Sequence, residues 1–343
     1  MSKKFVLYII ALVLVITIFI PATSGGLRYS INIDVSDVDA SFIGRSSGDI
    51  SGKSVAIVGD VNGDGYDDIL IGAPEAGTQN AGRAYLIFGK KTGWSVDSSL
   101  SDCDITFTGD NWNRYAGHSV AGAGDFNGDG YDDILVGVPR FGGASTYGEA
   151  FLILGKPSGW SDSSLSSGSD IDFHGEHDGD VAGSSVAGAG DVNGDGFDDI
   201  LIGAPTNDDG GSDSGKTYLI FGNSSGWDFD VPLSDANASF YGENASDKSG
   251  HTISGAGDVN GDGYDDILIG APNNDDGGID SGKSYLIFGN SSGWAKNINL
   301  SSAEASFIGG RPGDNSGYSV AGAGDVNIEK NNLALNKTLN KLS

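Results

Sequence analysis

The sequence predicts an all-β chain, a β-propeller of four-stranded antiparallel blades, and three observations carry that prediction. One unit recurs at steps of 65, 66, 67 and 67 residues, read from aspartates at positions 60, 125, 191, 258 and 325. Each unit holds short segments of strand rather than helix periodicity. Turns rich in glycine (57 of 343 residues) separate those segments. A fixed period of this size means one supersecondary unit copied along the chain, and four antiparallel strands per unit describe a blade.

Taken in order, the chain opens with Lys3 and Lys4, an apolar run from Phe5 to Ile20 and the small residues that follow Pro21. Residues 1–24 read as a secretory signal peptide or, if retained, an N-terminal anchor; the run is shorter than the roughly 20 residues that span a bilayer comfortably. Residues 28–327 carry the repeats. Residues 39–45 (DASFIGR) match the last strand of a unit that has no other strands before it. In the best-preserved unit, residues 251–257 and 266–270 flank an acidic loop as a hairpin, residues 282–289 form a third strand and residues 304–309 a fourth. Phe42, Phe107, Phe173, Phe240 and Phe307 keep the same beat, as do Trp94, Trp160, Trp227 and Trp294.

The acidic loop carries the chemistry. Its four copies place oxygen-bearing groups at alternate positions: Asp60, Asn62, Asp64, the carbonyl of Tyr66 and Asp68; Asp125, Asn127, Asp129, Tyr131 and Asp133; Asp191, Asn193, Asp195, Phe197 and Asp199; Asp258, Asn260, Asp262, Tyr264 and Asp266. A hard cation such as Ca²⁺ takes six to eight oxygens of this kind, so about four calcium sites are expected. Gly65 follows the third ligand, where a chain wrapping an ion turns sharply. The bidentate Glu of a helical EF-hand is missing and Ile69 begins an apolar run at once, so the loop belongs between two strands.

Phe-x-Gly (Phe42 to Gly44, Phe240 to Gly242, Phe307 to Gly309) followed by Gly-Ala-Pro (Gly72 to Pro74, Gly203 to Pro205, Gly270 to Pro272) resembles the FG-GAP repeat of integrin alpha-subunit propellers. The second copy departs slightly, with Gly-Val-Pro at Gly137 to Pro139. The resemblance implies a seven-bladed propeller with calcium in the hairpin loops between first and second strands of certain blades. Against that frame the chain holds four complete blades plus partial strands. A fifth unit begins at Tyr318 and reaches Asn327, but Glu329, Lys330 and Leu333 replace the expected loop residues, so no fifth calcium site is expected. Residues 328–343 read as a divergent C-terminal tail. The expectation is a truncated propeller with an open edge, prone to association; the alternative is a four-bladed ring that closes alone.

Composition fits an exported acidic protein. The formal charge is −28, from 47 acidic and 19 basic residues; four bound Ca²⁺ would bring it to about −20. That excess argues against nucleic acid, which needs Lys and Arg clusters. Cys103 is the only cysteine, so no intrachain disulfide forms and calcium is the expected staple. Asn-x-Ser/Thr at Asn223, Asn237, Asn244, Asn290, Asn299 and Asn336 offers glycosylation acceptors.

Catalysis finds little support. His118 and His251 share a repeat slot with Lys53, Ser184 and Tyr318, which reads as a surface position; His174, Glu176 and His177 make a weak metal cluster at best. Loops at residues 75–81, 140–147, 207–213 and 273–280 vary in character, as specificity loops on a rigid ring do. The reading is therefore a non-catalytic, secreted or cell-surface calcium-binding module for adhesion, its partner an extracellular protein or carbohydrate, with membrane contact only if the N-terminal segment is retained. The alternatives are an accessory propeller of a larger secreted enzyme or a non-functional gene fragment.

Overall fold

The computed structural model describes residues 38–110, 113–140, 147–224 and 227–323, together with the backbone of Val6–Leu7. The rest of the expected signal segment and the tail at 328–343 lie outside the described residues.

Five strands recur per repeat. After β1 (Val6–Leu7) and β2 (Phe42–Ile43) come β3 (Val55–Ile57), β4 (Ile69–Ala73), β5 (Arg83–Ile87), β6 (Ser98–Ser99) and β7 (Ile105–Thr108). The second repeat holds β8 (Ser119–Gly124), β9 (Asp133–Val138), β10 (Glu149–Ile153), β11 (Ser163–Ser164) and β12 (Ile171–His174). The third holds β13 (Ser185–Gly190), β14 (Asp199–Ala204), β15 (Lys216–Ile220), β16 (Asp230–Pro232) and β17 (Ala238–Tyr241). The fourth holds β18 (Thr252–Gly257), β19 (Asp266–Ala271), β20 (Lys283–Ile287), β21 (Ile298–Asn299) and β22 (Ala305–Ile308). The fold is that of β-propeller blades: each repeat forms one four-stranded antiparallel sheet, β3-β4-β5-β7, β8-β9-β10-β12, β13-β14-β15-β17 and β18-β19-β20-β22.

A four-strand count leaves out a short fifth strand. It leaves its own repeat and pairs parallel with the outer strand of the preceding blade: β11 with β7, β16 with β12, β21 with β17. β6 pairs in the same way with β2, in the outer-strand role expected for residues 39–45, and β1 lies antiparallel on the other side of β2. A short turn follows each clip and buries Leu100, Leu165, Leu233 or Leu300 to 1 % exposure or less, which anchors the clip by apolar burial.

Alternate side chains of the inner strands point to opposite faces, and both faces are covered because the sheets stack. Leu70, Leu86 and Phe107 of the first blade pack with Ile134, Val136 and Phe151 of the second. Leu135, Leu152 and Phe173 pack with Ile200, Ile202 and Tyr218 of the third, and Leu201, Leu219 and Phe240 with Ile267, Ile269 and Tyr285 of the fourth. The fifth unit departs from expectation: the described part of its predicted first strand, residues 318–323, is not a strand. A strand exists by its ladder, and the partner that corresponds to β19 falls outside the described residues.

Candidate metal centres

Each acidic loop joins the first and second strands of a blade. The entry turn is a β-bulge at Gly124, Gly190 and Gly257, whose φ of 68°, 73° and 69° suits glycine. Beyond it the loops share one hydrogen-bond pattern. The carboxylate at position one accepts the amides of positions five and six: Asp64 and Gly65 on Asp60 (3.0 and 2.7 Å), Asp129 and Gly130 on Asp125 (2.9 and 3.0 Å). Asp195 and Gly196 donate likewise to Asp191 (3.0 and 2.9 Å), and Asp262 and Gly263 to Asp258 (both 3.0 Å). The amide oxygens of Asn62, Asn127, Asn193 and Asn260 accept the position-five amide, and the carboxylates of Asp64, Asp129, Asp195 and Asp262 accept the amides of Tyr66, Tyr131, Phe197 and Tyr264.

The ninth position is set apart. Asp68, Asp133, Asp199 and Asp266 are fully buried. One oxygen of each accepts a loop amide, from Val61, Phe126, Val192 or Val259, and the other accepts the amide of Gly89, Gly155, Gly222 or Gly289 at the end of the third strand. These carboxylates therefore tie the loop to its own sheet. Burial pushes Asp68 up to about 6, Asp133 to about 7 and Asp199 to about 8; the amide bonds oppose the rise and the loop carboxylates add to it.

The donor set suits a hard divalent ion: side-chain oxygens on a tight loop in which no lysine or arginine occurs. Asp191 Oδ1 and Asp258 Oδ1 each accept two amides, whereas the accepting oxygens of Asn62, Asn127, Asn193 and Asn260 take one and keep a second lone pair. As the side chains stand, no three Asp, Glu, His or Cys residues converge into a metal-holding group among the described residues. His174, Glu176 and His177 point to separate partners: His174 Nδ1 lies 2.8 Å from Asp230, Glu176 pairs with Lys216, and His177 Nδ1 is 3.8 Å from Asp180.

Sequence reasoning missed the eighth position. Asp132 accepts the amide of Asp60 in the preceding blade (2.8 Å), Asp198 that of Asp125 (2.8 Å) and Asp265 that of Asp191 (3.0 Å). A Cβ on Gly59, Gly124 or Gly190 would run into those carboxylates. The signal was present in the Asp-Asp pair of every copy, but its partner lies more than 70 positions away. The loops are thus linked in series around the propeller.

The variable loops are better fastened than solvated turns. Asn207 and Asn274 are buried and donate to Asp180 and Asp247, while Lys216 pairs with Glu176 and Asp209 and Lys283 with Glu243 and Asp276. The second blade reverses the sign: Glu149 takes the lysine's place and pairs with Arg114 and Arg140.

Comparison with known proteins agrees with this repeat. A family model for the FG-GAP repeat matches residues 51–87, 116–153, 182–220 and 249–287. The chain is 33 % identical over 227 residues to integrin alpha-V of Gallus gallus, covering 64 % of this chain and 20 % of that protein. It is 34 % identical over 167 residues to integrin alpha-IIb of Mus musculus (45 % and 14 %), and 32 % identical over 223 residues to integrin alpha pat-2 of Caenorhabditis elegans (61 % and 17 %). The chain spans a fifth or less of the length of these relatives. With four matched repeats on four blades, the chain carries FG-GAP repeats and is similar to integrin alpha subunits.

Proposed function

We propose that the chain is a secreted or cell-surface calcium-binding module that presents a rigid propeller to an extracellular protein or carbohydrate, without catalysis. One observation carries the reading: four loops of the same oxygen pattern, each with the position-five amide held by the position-one carboxylate, stand at the same end of four stacked blades. Asp60, Asn62, Asp64, the Tyr66 carbonyl and Asp68 would hold the ion in the first loop, and their counterparts would hold it in the other three. Bound calcium would neutralise carboxylates that otherwise repel one another at each loop. Asp132, Asp198 and Asp265 fix the position-one backbone, so stiffening one loop is passed to the next blade. Export is supported by the N-terminal segment and by the extracellular kind of the relatives; no described helix is long and apolar enough to cross a membrane. Calorimetric titration of the chelator-stripped protein tests the reading. About four equivalents of Ca²⁺ should bind, and Asp64→Ala should remove one; an absence of binding heat overturns it.

A further inference from the structure

The repeat slot that the sequence assigns to an unremarkable surface lines one cavity. Lys53, His118, Ser184, His251 and Tyr318 come together around a funnel of about 810 Å³, at the end opposite the acidic loops. The residues that follow them in the chain line it too, Ser54, Ser119, Ser185, Thr252 and Ser319 as a second tier in chain order and Val55, Val120, Val186, Ile253 and Val320 as a third. Hydroxyls of the second tier are used in joining blades: Ser54 and Ser119 accept the amides of Val120 and Val186, and Ser185 and Thr252 donate to the carbonyls of Gly250 and Gly317. Recognition is left to the top tier.

Its charge runs against the rest of the molecule. The chain has 47 acidic and 19 basic residues, yet among the described residues no Asp or Glu lines the funnel. Lys53 and Lys248 both line it, and neither has an ion-pair partner among the described residues, whereas the buried Lys216, Lys283, Arg114 and Arg140 each face a carboxylate. The Nδ1 of His251 is buried without a hydrogen-bond partner among the described residues. Burial lowers the basicity of His118 and His251, and nearby lysines, Lys53 in both cases, lower it further. Lys53 and Lys248 both act on His251 and no carboxylate among the described residues lines the funnel, so the counter-charge this site lacks is an anion. Tyr318 is 64 % exposed and its ring centroid lies 4.9 Å from that of His251, which offers a flat face beside the charges. The volume is that of a small-molecule pocket.

We propose that this funnel binds a small sugar bearing a carboxylate or phosphate, with Lys53 and Lys248 holding the anion and Tyr318 the ring. The proposal names a ligand for the binding module described above and rests on that reading. Calorimetry on the full chain with glucuronate, glucose 6-phosphate and neutral glucose tests it, the two acids telling carboxylate from phosphate. At least one acid should bind while glucose does not, and the double variant Lys53→Ala/Lys248→Ala should weaken binding about tenfold or more. Lys53→Arg/Lys248→Arg should retain it, and thermal melts of both variants should match the parent. Absence of acidic-sugar binding, or equal binding of glucose, overturns the proposal. An acidic sugar bound equally by the alanine variant also overturns the funnel while leaving a binding module in place, so the two readings fail separately.

Discussion

The third and fourth blades have almost the same sequence and very different surroundings. In the third, Leu201, Leu219 and Phe240 are buried to 1 % exposure or less, between the fourth blade and the clip β21. Their counterparts Leu268 and Leu286 are only partly buried, and Phe307 is 58 % exposed. The fourth sheet has four strands where the first three have five, because no following repeat supplies a clip among the described residues. The same pattern therefore produces a core in one place and an exposed apolar face in another. A blade of this kind is half of a packing unit, and its stability is set by its neighbours.

Paired substitutions can break or sharpen that contrast. Phe240→Ala should destabilise by about 3–5 kcal/mol, the range for a buried aromatic, and Phe307→Ala by far less; equal shifts in denaturant midpoint would mean that the fourth blade is covered in solution. Lys216→Ala and Lys283→Ala should each cost about 3 kcal/mol or more, because each strands two carboxylates beside a closed sheet. Their near equality in thermal melts would localise the difference between blades to the outer strand rather than the loops. Removing calcium should lower the melting temperature, by about 2.7 kcal/mol of stability per site from a concentration a hundredfold above Kd. Differential scanning calorimetry with and without chelator reads it, and Asp195→Ala and Asp262→Ala should each abolish one share. The smallest effect is expected at the loop links: Asp198→Ala, which loses the bond to Asp125 of the preceding blade, should cost about 1–3 kcal/mol. Asp67→Ala, at an exposed position with no preceding loop among the described residues, should leave the midpoint unchanged.

Much of this was legible in the sequence because it is local. The Asp-x-Asn-x-Asp spacing fixes which amides the carboxylates can reach, the apolar runs in Asp199–Ala204 and Lys216–Ile220 fix strands buried on both faces, and the period fixes the blade count. The slot of Lys53, His118 and His251 is exposed or half-buried, as a surface position should be, but that its copies share one funnel was not legible because one repeat alone gives it no neighbour. The first strand expected at Tyr318 failed for the same reason, since an extended segment becomes a strand only when a partner is there to bond it.

The residues by themselves determined a repeated four-stranded unit with an oxygen-rich loop at one hairpin tip, since those features depend on neighbours within a few positions. Tertiary structure alone decided the clip exchanged between blades, the Asp132, Asp198 and Asp265 links, the exposure of Phe307 and the cationic funnel. Each of these joins groups from different repeats, and only the stacking of one sheet on the next brings them within bonding distance.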